Sequence, residues 1–174
     1  MSIRTFGEGV LPHRSASDGQ FLDPGDPAIH AITDFTRELP ITVDEDRQID
    51  EALDDMIRFG VRAMLVLRGK RIVGLITSYD IQGERPLQFL QTSNYTQHRD
   101  IRVGHIMTPW DGLLAVSWDS MQYARAGDLR QLLDEAGVTH LLVIERGKDG
   151  TPIVRGLVSR ARLARQMSGL RRTG

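Results

Sequence analysis

The stretch Ile72-Val-Gly-Leu-Ile-Thr77 recurs in related form as Val154-Arg-Gly-Leu-Val-Ser159, 82 residues further along the chain. Two more pairs of segments align in the same order at offsets of 75 and 77 residues, namely Thr33–Asp44 with Thr108–Asp119 and Met56–Val61 with Leu133–Val138. Because the order is kept while the offset grows only slightly, the sequence predicts two copies of one unit of about 60 residues.

Each copy predicts the same elements: a short strand, an amphipathic helix, a β-hairpin and a closing helix. The first amphipathic helix is indicated by apolar residues at the spacing of one helix face, at Ile49, Ala52, Leu53, Met56 and Ile57. The second repeats this spacing at Leu129, Leu132, Leu133 and Ala136, after a candidate capping box of Asp128 and Gln131. In the first closing helix, Pro86 predicts a kink or a break.

The chain is predicted to have five parts. An extended or disordered N-terminal arm covers residues 1–27, followed by the first copy at 28–92, a linker at 93–102, the second copy at 103–170 and a tail at 171–174. A unit of this size buries too little apolar surface to be stable alone. We therefore expect the two copies to pack their sheets together and to share a core.

Composition excludes several classes of protein. The 174 residues contain no cysteine, which excludes disulfides, iron–sulfur clusters, thiolate zinc sites and cysteine nucleophiles. No apolar run has the roughly 18 residues that a membrane helix needs, and the N-terminus has no stretch typical of a signal peptide. These features favour a cytoplasmic protein without a membrane partner.

Charge is balanced overall but unevenly placed. The net charge is −1, yet residues 155–174 hold six arginines and no acidic residue, while residues 44–55 are mostly acidic. The arginines predict either a solvated helix face or contacts with phosphate or an acidic partner. Nucleic acid is disfavoured as a partner because its binding needs a broader basic surface.

Several motifs, occurring in order and twice, resemble those of the CBS domain, the module named after cystathionine β-synthase. They are Val103-Gly-His-Ile-Met-Thr-Pro109, the Gly-Val pairs at Gly60-Val61 and Gly137-Val138, and Gly74-Leu-Ile-Thr-Ser-Tyr-Asp-Ile81. The resemblance covers about 140 residues and implies an α/β fold. Two CBS-type β-α-β-β-α units would pack with pseudo-two-fold symmetry as a Bateman-type module.

The resemblance also implies that an adenosine-containing nucleotide (AMP, ADP or ATP) binds in a cleft between the copies as a regulatory ligand. The family motif Gly-x-x-(Thr/Ser)-x-x-(Asp/Asn) falls on Gly74, Thr77 and Asp80. A carboxylate at a helix start can accept hydrogen bonds from both ribose hydroxyls. The alternative is that Asp80 only caps the helix that follows its strand.

The second copy departs from this motif. It keeps the glycine and the hydroxyl of Ser159 but has Arg162 where the carboxylate belongs. A guanidinium group has only donors and cannot accept a hydrogen bond from a diol. We therefore expect one nucleotide per chain, near Asp80, and a second cleft that is empty, differently used or lined by arginine for phosphate.

Five further residues are candidates for ligand contacts. The resemblance implies a basic residue for the phosphates at the start of each central strand, where Arg62 and His140 lie. It also implies an apolar slot for adenine, for which Ile41 and Val43 are candidates, with Val116 in the second copy. Each of these residues is equally well explained by an exposed strand position or by the core.

The predicted function is therefore a regulatory ligand-sensing module, with no required cofactor, no metal site and no catalytic residues. No serine-hydrolase elbow, phosphate-binding P-loop or zinc-protease motif is present. The alternative is a non-catalytic protein-interaction module with vestigial nucleotide clefts. An unidentified regulated protein is a candidate partner. A homodimer is also predicted, because Leu87, Leu90, Leu163 and Met167 place many apolar residues on the closing helices.

Overall fold

The computed structural model describes residues 21–168. The eight strands are β1 (Ile32–Asp34), β2 (Thr42–Asp44), β3 (Ala63–Arg68), β4 (Arg71–Thr77), β5 (Thr108–Pro109), β6 (Ala115–Ser117), β7 (His140–Arg146) and β8 (Pro152–Ser159). The seven α-helices are α1 (Ile49–Phe59), α2 (Ser78–Gln82), α3 (Arg85–Thr92), α4 (Val103–Ile106), α5 (Trp118–Met121), α6 (Ala126–Ala136) and α7 (Arg160–Ser168). None of these helices is long and apolar enough to cross a membrane.

The strands form two four-stranded sheets that exchange their leading strands between the repeats. One sheet has the order β2-β3-β4-β5 and the other β1-β8-β7-β6. The leading strand of the first repeat thus pairs antiparallel with the last strand of the second, with Ile32 opposite Val158. Reciprocally, Thr108 pairs with Leu75 of the first repeat. Each sheet is therefore completed by the other repeat.

Two glycines make this exchange possible. A Cβ atom on Gly74 would lie 2.5 Å from the carbonyl oxygen of Thr108, and a Cβ on Gly156 would lie 2.5 Å from the carbonyl oxygen of Thr33. Real Cβ atoms do not approach a backbone oxygen so closely. The glycine at the centre of each repeated motif is therefore required by the strand that crosses from the other repeat.

Each repeat has its own apolar core, and a third cluster joins the two. Leu65, Leu75 and Leu142 are buried together, with Leu157 and Phe35 packed against them. This cluster combines side chains from β3 and β4 with side chains from β7 and β8. It is the shared core that the sequence predicts, and it confirms the α/β fold of two packed units.

The first amphipathic helix follows the predicted pattern, with one exception at its edge. Helix α1 buries Ile49, Ala52 and Met56, and it ends at Gly60 in the left-handed conformation at φ 67°. Ile57, however, is 72% exposed. The apolar stripe is therefore narrower than the spacing alone indicates.

The second amphipathic helix is capped differently from the prediction. Helix α6 begins at Ala126, so Asp128 is its third residue rather than its cap. The Asp128 carboxylate accepts a hydrogen bond from the backbone N–H of Arg125 at 2.8 Å. Gln131 instead donates to Glu135 one turn further on. The Asp128 carboxylate thus caps α6 from within its first turn, by accepting a hydrogen bond from the residue that precedes the helix.

The closing helices differ between the repeats. The break predicted at Pro86 is confirmed, because α2 ends at Gln82 and Pro86 lies in the first turn of α3. Helix α7 is continuous, and its Leu163 is buried in the core of the second repeat with Met167 packed nearby. Leu90 likewise packs against the core of the first repeat, so only Leu87 of the four proposed dimer residues is left to support an interface.

The structure describes residues 21–27 of the predicted N-terminal arm, and this part packs against the second repeat. Leu22 is buried in its core, and the Leu22 N–H donates to the carbonyl oxygen of Gln166 at 3.0 Å. Pro27 forms an isolated bridge with Arg125. Residues 1–20 of the arm, and the predicted tail at 171–174, lie outside the described residues.

Candidate functional site

A cavity of about 390 Å³ lies at the junction of the two repeats. The first repeat contributes the end of β1, the loop that precedes β2 and the start of β3, while the second contributes β8 and α7. A volume in this range is typical of small-molecule sites. Its polar and charged lining includes Thr33, Glu38, Arg62, His140, Ser159, Arg162 and Arg165. We call it the arginine-lined cavity.

Three arginines give the cavity its charge. Arg62 extends from the start of β3, and its Nη1 donates to the hydroxyl of Tyr79 at 3.1 Å. Arg162 and Arg165 lie one turn apart on α7, with Arg162 Nη1 donating to Thr33 Oγ1 at 2.6 Å. Glu38 is the acidic residue of the lining. The lining therefore favours an anion.

The remaining wall is apolar. Leu65 and Leu157 belong to the shared core, while Phe35, Pro40 and Ile41 approach from β1 and the loop before β2. This wall offers dispersion contacts to a flat, uncharged group. The cavity thus combines an apolar surface with a cationic one, as a ligand with an aromatic base and phosphates requires.

His140 contributes a neutral imidazole to the lining. It lies at the start of β7 and is almost fully buried, with Nδ1 2.9 Å from Thr139 Oγ1. Burial lowers the pKa of His140 to about 4, so the ring carries no charge at neutral pH. It therefore offers a hydrogen bond rather than a positive charge to a ligand.

Thr77 and Asp80 form a capping box at the start of α2. The Asp80 carboxylate accepts hydrogen bonds from the N–H and the hydroxyl of Thr77, both at 2.9 Å, and the Thr77 hydroxyl accepts from the Asp80 N–H. Arg85 forms an ion pair with the other carboxylate oxygen at 3.3 Å. These contacts match the capping alternative, and neither residue lines the arginine-lined cavity.

The structure brings together five of the nine candidate residues, namely Ile41, Arg62, His140, Ser159 and Arg162. The other four are elsewhere. Val43 is buried in the core of the first repeat, Gly74 lies under the crossing β5, and Thr77 and Asp80 cap α2. Val116 packs against the core of the second repeat.

Sequence reasoning missed three polar or charged residues of the cavity, namely Thr33, Glu38 and Arg165. Arg165 follows Arg162 by three residues, which is the spacing of one helix face, and this signal was available in the sequence. Thr33 reaches the cavity only because β1 pairs with β8 of the other repeat. No local pattern indicates that exchange.

A second, shallower cavity of about 310 Å³ lies between α3 of the first repeat and residues 105–109 at the start of the second. Phe89 stacks on the His105 ring at a centroid distance of 4.5 Å, and Tyr95 packs against the same ring. Burial and the charge of Arg102 lower the pKa of His105. The arginine that lines this cavity, Arg85, already binds Asp80 and the carbonyl oxygen of Ile106. This cavity lacks the cationic cluster of the first.

Comparison with protein families identifies one match: residues 29–85 match the family model for the CBS domain. The match covers about a third of the chain and corresponds to the first repeat. No curated protein matches the sequence.

Solved structures resemble the whole fold. A protein with CBS domains from Burkholderia ambifaria MC40-6 is 25% identical, with a TM-score of 0.55 over 78% of this chain and 85% of that chain. CBSX2 from Arabidopsis thaliana, solved in complex with AMP, is 24% identical, with a TM-score of 0.54 over 85% of this chain and 100% of that chain. The CBS domain of a bacterial CNNM/CorC family Mg²⁺ transporter, solved in complex with ATP, is 16% identical, with a TM-score of 0.53 over 83% of this chain and 88% of that chain.

Proposed function

We propose that this chain, which carries a CBS domain at residues 29–85 and has the fold of CBS-pair proteins, is a regulatory module that binds an adenosine-containing nucleotide between its repeats. It is non-catalytic in this proposal, and AMP, ADP and ATP are the candidate ligands. Two proteins of the same fold were solved with AMP and with ATP. A homodimer and a cytoplasmic location belong to the same proposal.

The arginine-lined cavity carries the proposal. It is the place where residues of both repeats meet around an apolar wall and a cationic wall. The base would pack against Ile41 and Leu65, with the phosphates toward Arg62 and α7. Because both repeats line the cavity, a bound nucleotide would stabilise one arrangement of the two repeats, which is what a regulatory ligand must do.

The first test is a thermal-shift panel of AMP, ADP, ATP, NAD and S-adenosylmethionine on the full chain. A ligand at 100 times its Kd stabilises the folded state by about 2.7 kcal/mol, so we expect a clear rise in Tm with at least one adenosine nucleotide. No shift with any of them would contradict the proposal and favour the protein-interaction module.

The second test locates the nucleotide by calorimetry. We expect Arg62→Ala to weaken nucleotide binding on the order of tenfold, since a lost hydrogen bond to a charged group costs about 1.5–3 kcal/mol. Arg130→Ala is the matched control, because Arg130 is an exposed arginine of α6 outside the cavity lining. Equal affinities of the two variants would place the nucleotide elsewhere.

A further inference from the structure

The arginine-lined cavity differs from a nucleotide site built around a carboxylate. Arg162 occupies the position in the second repeat that Asp80 occupies in the first, and Ser159 corresponds to Thr77. A carboxylate accepts hydrogen bonds from a ribose diol, whereas a guanidinium group can only donate them. The group that Arg162 can bind must therefore be an acceptor.

A hydrogen bond to strand β1 holds Arg162 beside the cavity. Its Nη1 donates to Thr33 Oγ1 at 2.6 Å, and Thr33 belongs to the exchanged strand β1. A guanidinium group has five N–H donors, so one side chain can bind Thr33 and an anion together. Arg165, one turn further along α7, adds a second guanidinium to the same wall.

The guanidinium groups of the lining offer more hydrogen-bond donors than one phosphate can use. Arg62, Arg162 and Arg165 are cationic, Glu38 is anionic, and the buried His140 ring is neutral at pH 7. A phosphate monoester carries a charge of about −1.5 to −2 at this pH, and each further phosphate of a chain adds negative charge and acceptor oxygens. The four charged side chains sum to about +2, which one monoester already balances, but three guanidinium groups with about five N–H donors each exceed its three acceptor oxygens and so match a chain of phosphates better.

We infer that the arginine-lined cavity selects its ligand by a polyphosphate chain and does not recognise the ribose 2′-hydroxyl. This inference rests on the proposed function and specifies its ligand: a nucleoside di- or triphosphate, ribo or deoxy. Affinity then increases in the order AMP, ADP, ATP, and 2′-deoxy-ATP binds about as tightly as ATP.

Calorimetry on the full chain tests the inference with AMP, ADP, ATP, 2′-deoxy-ATP and inorganic triphosphate at one ionic strength. We expect ATP to bind at least about tenfold more tightly than AMP, since charge-assisted hydrogen bonds are the strong ones. We expect 2′-deoxy-ATP to bind within about threefold of ATP, and inorganic triphosphate more weakly than ATP because it has no base for the apolar wall.

Different failures are distinguishable. If no nucleotide binds, or if inorganic triphosphate binds as tightly as ATP, the proposed function itself is wrong. If AMP and ATP bind equally, or if removing the 2′-hydroxyl costs more than about tenfold, nucleotide binding stands and the inference is overturned. A cost of that size is what losing a hydrogen bond to a charged group produces.

Variants supply an independent check. Arg165→Ala should weaken ATP binding about tenfold while affecting AMP less, so the ratio of the two affinities should fall. Arg162→Asp should weaken ATP and restore a preference for ATP over 2′-deoxy-ATP, because it returns an acceptor to that position. Arg130→Ala should leave all affinities unchanged. An unchanged ATP-to-AMP ratio in Arg165→Ala overturns the inference.

Discussion

At the scale of single residues, Arg155 links the exchanged strand β1 to the sheet of the second repeat. Its guanidinium donates to Asp34 on β1 at 3.0 Å and to Glu145 on β7 at 2.9 Å, and it stacks on the Trp118 ring at 4.2 Å from the centroid. Burial would raise the pKa of Asp34, but hydrogen bonds from Arg155 and Thr36 outweigh this and lower the pKa to about 2. The pair therefore stabilises the attachment of β1 through a titratable group.

This pair predicts a pH-dependent stability. The pKa of Asp34 is lower in the folded chain than the ordinary 3.8. Its contribution of about 2 kcal/mol is therefore complete above pH 4 and is lost as the pH falls through about 2. Asp34→Asn should lower the free energy of unfolding by about that amount at pH 7 and by much less at pH 2, in urea titrations. Asp111→Asn, at an exposed site, is the control, and a pH-independent difference would contradict the assignment.

Asp80 offers a second prediction at this scale. Because its carboxylate caps α2, Asp80→Ala should destabilise the chain by about 1 kcal/mol in urea unfolding. Nucleotide affinity should remain within about twofold, since Asp80 lies outside the arginine-lined cavity. Asp80→Asn keeps the acceptor oxygen for Thr77 and controls for the lost cap. A drop of tenfold or more in affinity for both variants would instead support the ribose contact predicted from the sequence.

At the scale of elements, the two crossing strands give a matched pair of glycine variants. Gly74→Ala and Gly156→Ala each force a methyl group against a backbone oxygen, so each should lower stability by about 1–3 kcal/mol. Only Gly156 lies beneath β1, which carries Thr33 of the cavity. Gly156→Ala should therefore also weaken nucleotide binding, whereas Gly74→Ala should not.

The control for this pair is Gly25→Ala, whose new methyl group meets no atom within 4 Å. Unfolding curves and calorimetric titrations of the three variants provide the comparison. Equal losses of affinity in Gly74→Ala and Gly156→Ala would show that the arginine-lined cavity is not the binding site.

The long elements and the short strands β2 and β6 were predictable from sequence, whereas the crossing strands β1 and β5 were not. A hydrophobic period or an apolar run is visible only in elements with enough residues, such as α1, β3, β4, β7 and β8. Strand β1 has three residues and β5 has two. Their partners lie in the other repeat, so only the assembled fold specifies them.

The same limit, that pairing between the repeats has no local sequence pattern, explains which residues of the candidate site were predictable. Arg62 and His140 are candidates because the resemblance implies a basic residue at the start of each central strand, and both line the cavity. The prediction for Asp80 rests on a local motif that serves ribose binding and a helix cap equally well. Thr33 could not be assigned, because its position in the cavity depends on a strand pairing with a residue separation of over 120.

At the scale of the whole molecule, exposed apolar side chains on the first repeat support the proposed homodimer. Leu87 on α3 is 59% exposed, and Ile57 and Phe59 on α1 are exposed as well. We expect multi-angle light scattering at micromolar concentration to give the mass of a dimer. Leu87→Glu should shift the chain toward the monomer, because a charge in an apolar interface is costly.

Tyr123→Ser controls for a general loss of exposed apolar surface, since Tyr123 is 87% exposed and lies outside the closing helices. It should remain dimeric. A monomeric mass for the unmodified chain would rule out the homodimer, and a dimeric mass for Leu87→Glu would place the interface elsewhere.

The exchange of leading strands also governs the order of events during synthesis. Strand β1 leaves the ribosome early, but its partner Val158 is made more than 120 residues later. At about 5–20 residues per second, β1 waits on the order of ten seconds with its backbone unpaired. The sheet of the second repeat cannot be completed until β8 has emerged, so the nascent chain spends that time with an open strand edge on which a chaperone can act.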